Sequence, residues 1–189
     1  GTNRLHQIVN SMLDVARLDS QAINPRMEAV SLSLTLRLIH KDYVTDLAAR
    51  NLTVDLDEST RSIPPLLADP ELLKKALDHV IVNAIKFTPD GGTVTISAVV
   101  VDDARLGKMA EIRVKDSGIG IDGEYHKIIF EKLFQLRKVE LDSSSRTNYK
   151  GGGAGLGLAI ASGIVKALQG SMWVESEGHN EEKFPGCTF

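Results

Sequence analysis

The chain contains two runs in which apolar and polar residues alternate, 93–101 and 109–116, and these runs constrain its fold more than any other feature. Alternation with a period of two places one set of side chains on the buried face of a β-strand and the other set toward solvent. The runs follow one another directly, so we expect them to pair as neighbouring strands. The second run ends on Asp116, which the alternation places on the same face as the apolar Ile112 and Val114. This strand therefore ends on a carboxylate that points inward.

An inward carboxylate needs hydrogen-bond donors from the protein, from water or from a ligand, because a buried charge without partners is costly. An adenine amino group is one such donor. The alternative is that Asp116 begins a turn before Gly118 and Gly120 and bonds the backbone with its side chain. The D-x-G-x-G pattern alone leaves both interpretations open.

Length and composition indicate one compact domain with a short appendage, since the chain has 189 residues, 42% hydrophobic and 25% charged, with a net charge of −3. This excludes disordered, fibrous and membrane-spanning classes, and it does not suggest nucleic-acid binding. Cys187 is the single cysteine, so no intramolecular disulfide is expected and a reducing, cytoplasmic compartment is favoured. We expect no membrane contact by this chain, although a longer parent protein anchored in the cell membrane remains compatible with it.

Strands and helices alternate along the chain. The expected elements are a strand at 27–33, a helix at 34–50, a strand at 52–56, a helix at 70–87, the two paired strands, a helix at 158–168 and closing strands at 172–174 and at the C-terminus. Asp69 is the expected N-cap of the fourth element, because Pro70 and Glu71 follow it in the first turn. This order predicts an α/β fold in which helices cover a sheet.

The first twenty residues form a separate helical pattern, with Leu5, Val9, Met12 and Ala16 on one stripe. Such a stripe packs either on the core of its own domain or against another helix. The sequence leaves these alternatives open.

A polar stripe lies on the helix expected at 70–87. His79, Asn83 and Lys86 follow one another at spacings of four and three, so they share one side of this helix. An amide oxygen and an ammonium one turn apart suit Mg²⁺ and phosphate. The alternative is an ordinary solvent-facing stripe.

A glycine run leads into the helix expected at 158–168, with Gly153, Ala154, Gly155, Leu156 and Gly157 at its end. Glycines there let backbone amides approach an anion, and the start of the helix adds free N–H groups. The run has neither G-x-G-x-x-G spacing nor a following Gly-Lys-Ser/Thr, so a dinucleotide fold and a P-loop are both disfavoured. A flexible hinge is the alternative.

The stretch between Ile121 and the glycine run is less regular, and its composition predicts a mobile loop. Phe130 and Phe134 lie four residues apart within it, on a short expected helix. They are either ordinary core residues or an anchor for a loop that closes over a ligand.

The order of these segments, N-x-x-x-F-T-P, D-x-G-x-G, F-x-x-x-F and G-x-G-L-G-L, resembles the N, G1, F and G2 boxes of two-component sensor histidine kinases. The resemblance implies the Bergerat ATP-binding fold, a two-layer α/β (α+β) sandwich with a mixed, mostly antiparallel sheet backed by helices. It implies a catalytic domain at 25–189 with an ATP lid at about 121–152. Residues 1–24 resemble the second helix of the dimerisation hairpin.

The resemblance also implies ATP and Mg²⁺ as ligands. By this likeness Asp116 would bind the adenine amino group, and Gly118, Gly120 and Ile121 would shape the adenine end of the site. Asn83 would hold Mg²⁺, and Lys86 would lie near the phosphates. Phe130 and Phe134 would seat the lid, and the triphosphate would pass along Gly153, Ala154, Gly155, Leu156 and Gly157. Asn83 and Lys86 are the residues expected to act in catalysis.

His79 departs from the family pattern, because many members have a second asparagine there, and the metal shell is therefore expected to differ in detail. The residue at position 79 also distinguishes histidine kinases from hydrolytic relatives that share this fold. Hydrolytic ATPases of this fold, such as DNA gyrase, have a water-activating glutamate there. His79 provides no such carboxylate, and Asp78 is rotated off the stripe. Transfer is thus favoured over hydrolysis.

A phosphoacceptor pattern is missing, since a Glu/Asp-hydrophobic-Arg/Lys-x-Pro sequence follows none of the histidines, His6, His40, His79, His126 and His179. The expected acceptor is a histidine on the first hairpin helix of a homodimeric parent, with relay to the receiver domain of a response regulator. This chain alone is expected to bind ATP without phosphorylating itself. The alternatives are a degenerate nucleotide-binding module and an ATP hydrolase.

Overall fold

A computed structural model describes residues 2–19, 23–132, 147–150 and 155–189. Its elements are α1 (Thr2–Asp19), β1 (Glu28–Val30), α2 (Leu32–Ala49), β2 (Thr53–Leu56), α3 (Ser59–Ser62), β3 (Leu66–Ala68), α4 (Pro70–Phe87), β4 (Thr93–Asp103), β5 (Gly107–Asp116) and α5 (Gly157–Ala167), with 3-10 turns at Gly123–Tyr125 and Ile128–Phe130. The expected strand at 27–33 is shorter, because the Ser31 hydroxyl accepts a bond from the Leu34 amide and starts α2.

The main sheet is mixed. Strand β2 runs parallel to β4, and β4 pairs antiparallel with β5 in the expected register of neighbouring strands. The C-terminus extends this sheet, since Val114 and Phe189 exchange two backbone hydrogen bonds of 2.9 and 3.0 Å, and Thr188 pairs in turn with Glu175. Strands β1 and β3 form a separate antiparallel pair. The predicted α/β fold with a mixed, mostly antiparallel sheet is confirmed.

Helices α2, α4 and α5 contribute to one continuous core with the sheet. Its fully buried side chains include Leu36, Ile39, Ile85, Val94, Ile96, Val114 and Ile160. The alternation predicted for β4 is correct at Val94, Ile96 and Ala98. It fails at Val100, which is exposed together with Val99 on the opposite face, because this end of the β4–β5 hairpin extends beyond the core.

The start of α4 is fixed by its cap, as predicted. Asp69 accepts hydrogen bonds from the amides of Glu71 and Leu72 at 3.1 and 3.0 Å, which satisfies two donors that the first turn leaves without helical partners. The other carboxylate oxygen accepts from the Arg26 amide at 2.8 Å. The cap therefore fixes α4 relative to the chain that enters β1.

Helix α1 makes two different surfaces. One packs on α5, where Leu18 lies so close to Gly163 that an added Cβ would be 2.9 Å from it, and an ion pair joins Asp14 to Lys75 of α4 at 2.5 Å. The predicted stripe faces the other way, since Val9 and Met12 are 45% and 52% exposed. One face of α1 thus packs on its own domain, whereas pairing of the exposed stripe with another helix stays a prediction. Within the described ranges, no helix has the length and apolar character needed to cross a membrane.

Candidate functional site

Asp116 is buried at the end of β5, as the alternation predicted, with 5% of its surface exposed. Its Oδ1 accepts hydrogen bonds from the amides of Gly118, at 2.8 Å, and Cys187, at 3.2 Å. In the described part of the chain, Oδ2 accepts no hydrogen bond. The turn interpretation is therefore correct for one carboxylate oxygen, and the second oxygen is left for a donor from outside the chain.

Burial raises the pKa of Asp116 to about 6, and the amides of Gly118 and Cys187 oppose this shift by stabilising the ionised form. At neutral pH the side chain is consequently a buried carboxylate that has no cationic partner among the described residues. Such a group gains more from an added donor than a solvated carboxylate does.

The glycines after Asp116 permit close packing around it. A Cβ on Gly118 would lie 2.5 Å from the Phe87 carbonyl oxygen and 2.6 Å from Asp116 Oδ1. Gly120 has a φ of +74°, and a Cβ there would overlap the Gly178 carbonyl. Gly118 therefore lets the loop after β5 pack against the C-terminal end of α4, and Gly120 lets it pack against the segment that contains Gly178. Asp116 is thereby placed beside the helix that carries the polar stripe.

The stripe on α4 is half-buried, which argues against an ordinary solvent-facing surface. The side-chain amide of Asn83 makes no hydrogen bond within the described residues. Lys86 has no carboxylate partner there, its Nζ lies 5.0 Å from the centre of the Phe87 ring, and burial lowers its pKa. A partly desolvated ammonium without a counter-ion is suited to an anionic ligand.

The beginning of α5 lies against the middle of α4. A Cβ on Gly157 would be 3.3 Å from His79 Nδ1, so the glycine run enters α5 directly beside the stripe. Gly155 has a φ of +66°, which favours glycine, while the Leu156 side chain is buried in the main core and leaves only its backbone for a ligand. Gly153 and Ala154 lie outside the described residues.

Ile121 and Phe130 belong to a second, smaller core cluster. The Phe130 ring packs edge-on against Phe189 with 6.4 Å between centroids, as ordinary core packing predicts. Phe134 and residues 133–146 and 151–152 of the predicted lid lie outside the described residues. The proposed seating of a lid by Phe130 and Phe134 stays a prediction.

Two features of the site were missed by the sequence reasoning. Arg50 is buried and its guanidinium bonds the end of α4, although a single arginine after a helix carries no local signal of this role. The second missed feature is the partner of Asp78, whose carboxylate accepts a 2.7 Å bond from the Tyr43 hydroxyl. Its predicted rotation off the stripe is correct.

In the same described ranges, no cluster of three or more His, Cys, Asp or Glu side chains could hold a metal ion.

The site thus combines a buried carboxylate, a helix with an amide and an ammonium, and a glycine run that begins another helix. Residues 68–189, which contain all of these, match the family described as Histidine kinase-, DNA gyrase B-, and HSP90-like ATPase. The chain belongs to this ATPase family. The interpretation of the four segments as those of a histidine-kinase ATP-binding domain is confirmed.

Relatives of this ATPase-family domain are sensor kinases. The chain is 31% identical to sensor histidine kinase WalK of Bacillus subtilis, covering 93% of itself and 27% of that protein. It is 33% identical to the adaptive-response sensory kinase SasA of Synechococcus elongatus, covering 88% of itself and 44% of that protein. The chain therefore spans less than half the length of these relatives.

Solved structures agree with the observed fold. Full-length ShkA in complex with AMPPNP superposes with a TM-score of 0.77 and 28% identity, over 98% of this chain and 34% of that one. ThkA in complex with the response regulator protein TrrA gives a TM-score of 0.67 at 20% identity, over 100% of this chain and 47% of that one. The latter likeness concerns the fold alone.

Asp116 generates a prediction about stability and pH. Its pKa is higher in the folded protein than the ordinary value of 3.8, so the folded state holds the proton more tightly. The free energy of unfolding should therefore fall as pH rises from about 4 to about 6 and then stay level. Asp116→Asn removes this ionisation and should be more stable than the parent by about 1–3 kcal/mol at neutral pH, with the difference shrinking below about pH 5.

Urea unfolding of both proteins from about pH 4 to about pH 8 measures this difference. Asp55→Asn is the matched control, because Asp55 is exposed on β2 and its side chain makes no hydrogen bond in the described part of the chain. If the free energies of unfolding of the parent and of Asp116→Asn change with pH in parallel, the assignment of a destabilising buried carboxylate at Asp116 is contradicted.

Proposed function

We propose that this domain binds ATP with Mg²⁺ and transfers the γ-phosphoryl group to a histidine nitrogen on a dimerisation domain. The observation that carries this proposal is that Asp116 Oδ2 and the Asn83 amide both lack hydrogen bonds within the described residues, on two elements that pack together. Asp116 is the last residue of β5, and Asn83 lies inside α4. A site with acceptor, amide and cation groups in these places suits a purine nucleotide and its phosphates.

Adenine recognition is assigned to Asp116. Its free Oδ2 would accept the exocyclic amino group of adenine, and Gly118 and Gly120 keep the surrounding loop close enough to exclude bulk water. A guanine base has a carbonyl oxygen at the corresponding ring position and would meet the carboxylate with an acceptor. Because two acceptors repel, this arrangement favours ATP over GTP.

The phosphates are assigned to α4 and the beginning of α5. The Asn83 amide oxygen would hold Mg²⁺, a cation that usually takes few protein ligands and completes its shell with phosphate oxygens and water. The absence of an acidic cluster among the described residues agrees with such a shell. Bound Mg²⁺ supplies charge compensation on the phosphate oxygens. Lys86 would add an ammonium whose partial burial strengthens its attraction to them.

In the proposed reaction, an imidazole nitrogen of the acceptor histidine forms a bond to the γ-phosphorus, and the bond to the ADP oxygen breaks. A neutral imidazole is already a nucleophile, so this chain mainly positions the nucleotide and stabilises the charge that leaves with ADP. The base or orienting acid would lie beside the acceptor. The phosphoryl group would then pass to the receiver domain of a response regulator.

Transfer is favoured over hydrolysis by the residues around the stripe. A hydrolase needs a group that activates water. His79 lies beside Gly157, and the nearest carboxylate in sequence, Asp78, is bonded to Tyr43. The AMPPNP in the ShkA structure, which carries an adenine and a triphosphate chain, supports nucleotide binding by this relative of the chain. The alternative is a module that binds nucleotide without transferring a phosphoryl group, and a phosphoryl-transfer assay distinguishes the two functions.

Helix α1 is proposed as the second helix of the dimerisation hairpin, with residues 25–189 as the catalytic domain and about 121–152 as its lid. Its exposed apolar side chains, Val9, Met12 and Leu13, would be covered by the other helices of a homodimeric bundle. Sedimentation of an N-terminally extended form of the protein measures this association. A monomer at micromolar concentration would contradict it.

Adenine recognition predicts a nucleotide preference and a pH dependence. The parent protein should bind a fluorescent ATP analogue in the presence of Mg²⁺, and GTP should compete poorly. Asp116→Asn presents an amide that keeps the bonds to Oδ1 but loses the charge, so its Kd should rise by about 10–100-fold. Affinity of the parent should fall as pH drops below about 6, the pKa to which burial raises Asp116.

Asp122→Asn is a useful control for this series, because Asp122 also lies in the loop after β5 but bonds the His179 amide. It should bind ATP within about threefold of the parent. Equal competition by GTP and ATP, or unchanged affinity in Asp116→Asn, would remove the adenine assignment.

The proposed phosphoryl transfer predicts which form of the protein gains label from γ-labelled ATP. An N-terminally extended form that includes the proposed acceptor helix, incubated with γ-labelled ATP and Mg²⁺, should gain acid-labile, base-stable phosphate on a histidine. The 189-residue chain alone should bind ATP and remain unlabelled. Asn83→Ala should abolish the label in the extended form, because the metal ligand is lost.

The outcomes separate the three candidate functions. Nucleotide binding without label in the extended form would support a binding module, and steady phosphate release without any acceptor histidine would support a hydrolase. Label on histidine that persists in Asn83→Ala would retain the kinase function but contradict the role of Asn83.

A further inference from the structure

We propose that Arg50 is a positioning residue of this site, which holds residues 147–150 against the last turn of α4 and thereby aligns the phosphate-binding half of the site. This inference rests on the proposed nucleotide-binding function. Arg50 follows α2 directly and is 8% exposed, although it is charged. Neither its sequence position nor the family segments pointed to it.

The guanidinium of Arg50 makes four hydrogen bonds to described residues and uses all three of its nitrogens. Nε donates to Asp90 at 2.8 Å. Nη1 donates to the carbonyls of Ile85, at 2.8 Å, and Thr147, at 2.5 Å. Nη2 donates to the Thr88 carbonyl at 2.6 Å. Three of its four acceptors are therefore main-chain carbonyls, which come from two separate parts of the chain.

The carbonyls of Ile85 and Thr88 belong to the C-terminal end of α4. The last carbonyls of a helix have no helical partners, and the helix dipole makes this end attractive to a cation. Arg50 therefore caps α4 from a neighbouring helix. Lysine could not replace it, because a single ammonium with three donors cannot reach acceptors on opposite sides of a planar fork.

The segment 147–150 is attached to both helices. At its first residue, Thr147 is 3% exposed and its hydroxyl donates to Asp46 of α2 at 3.0 Å. At its last residue, the Lys150 amide donates to the Lys86 carbonyl at 2.9 Å. Between them, the Tyr149 ring lies 5.8 Å from the Arg50 guanidinium carbon. The segment thus runs from α2 to the residue on α4 that carries the proposed phosphate-binding ammonium.

The segment 147–150 connects the two groups that the proposed function assigns to the phosphates, which are Lys86 and the glycine run. Lys86 is bonded through its own carbonyl to Lys150, and the glycine run follows Lys150 directly in sequence. Within the described residues, the Arg50 side chain bonds both sides of this junction and donates no hydrogen bond to Asp116 or to residues 117–121. Loss of its fork should therefore disturb the phosphates more than the Asp116 end.

Arg50→Lys tests this separation. The variant should bind an ATP analogue with Mg²⁺ at least about tenfold more weakly than the parent, while its affinity for adenosine stays within about twofold, since none of the lost bonds is made to Asp116 or to the loop after it. Hydrogen exchange of the Lys150 amide should become faster well below the melting temperature, because its acceptor and its segment are no longer held together.

Arg61→Lys is the matched control. The substitution and the charge are the same, but the Arg61 side chain is 69% exposed, and in the described part of the chain it pairs only with Glu58, three residues away. Its affinities for ATP and adenosine and the exchange of the Lys150 amide should equal those of the parent. Thr147→Val is a second variant that leaves Arg50 intact and removes the bond to Asp46. It should weaken ATP binding in the same direction but less, again without change for adenosine.

The outcomes are distinguishable. A selective loss of ATP affinity in folded Arg50→Lys, or in Thr147→Val if Arg50→Lys does not fold, supports the positioning role. Equal losses for ATP and adenosine, or no loss for either ligand in a folded variant, overturn it and leave Arg50 as a stabilising residue only. Failure of the parent itself to bind ATP would instead refute the proposed function, independently of Arg50.

Discussion

The candidate site depends on a carboxylate that the fold removes from water at the end of β5. The backbone satisfies only Oδ1 of Asp116, through Gly118 and Cys187, and leaves the other oxygen without a bond in the described part of the chain. These two hydrogen bonds therefore replace only part of the solvation that the Asp116 carboxylate loses on burial. The glycines of the following loop, the end of α4 and the C-terminal residues are all arranged around this group, so a change in any of them alters the environment of the carboxylate.

Helix α4 serves the core and the site with different faces. Its apolar side, which includes Ile81, Ala84 and Ile85, is buried against the sheet and the other helices, and this burial holds the helix in place. The apolar side of the helix thereby also positions the half-buried side chains of Asn83 and Lys86. This explains how these two side chains can lack hydrogen-bond and carboxylate partners among the described residues: the stability of the helix does not depend on them.

Much of this arrangement could be predicted from local sequence signals. Alternation along 109–116 predicted the inward direction of Asp116, and the cap at Asp69 predicted where α4 begins. The single turn α3 and the short β3 were missed, because four polar residues and a three-residue strand after Pro64 and Pro65 give no period to detect. The exposure of Val100 was missed for a different reason, since alternation reports faces but not where the core ends.

Contacts between distant residues could not be predicted in this way. Arg50 meets Ile85 across 35 positions and Thr147 across 97, and no spacing rule connects such residues. Its burial results from tertiary packing that brings the ends of α2 and α4 together. The sequence alone therefore indicated the residues facing a ligand better than those that hold them in place.

The bond between the Cys187 amide and Asp116 joins residues 71 positions apart, and it has a consequence for folding. A contact of this sequence separation closes a long loop and forms late compared with hairpins and helix caps. Until residues 187–189 add to the edge of β5, Asp116 stays hydrated and the pocket at the end of this strand is incomplete. A ligand that needs the desolvated carboxylate would therefore select chains whose sheet is complete and would stabilise those chains by mass action.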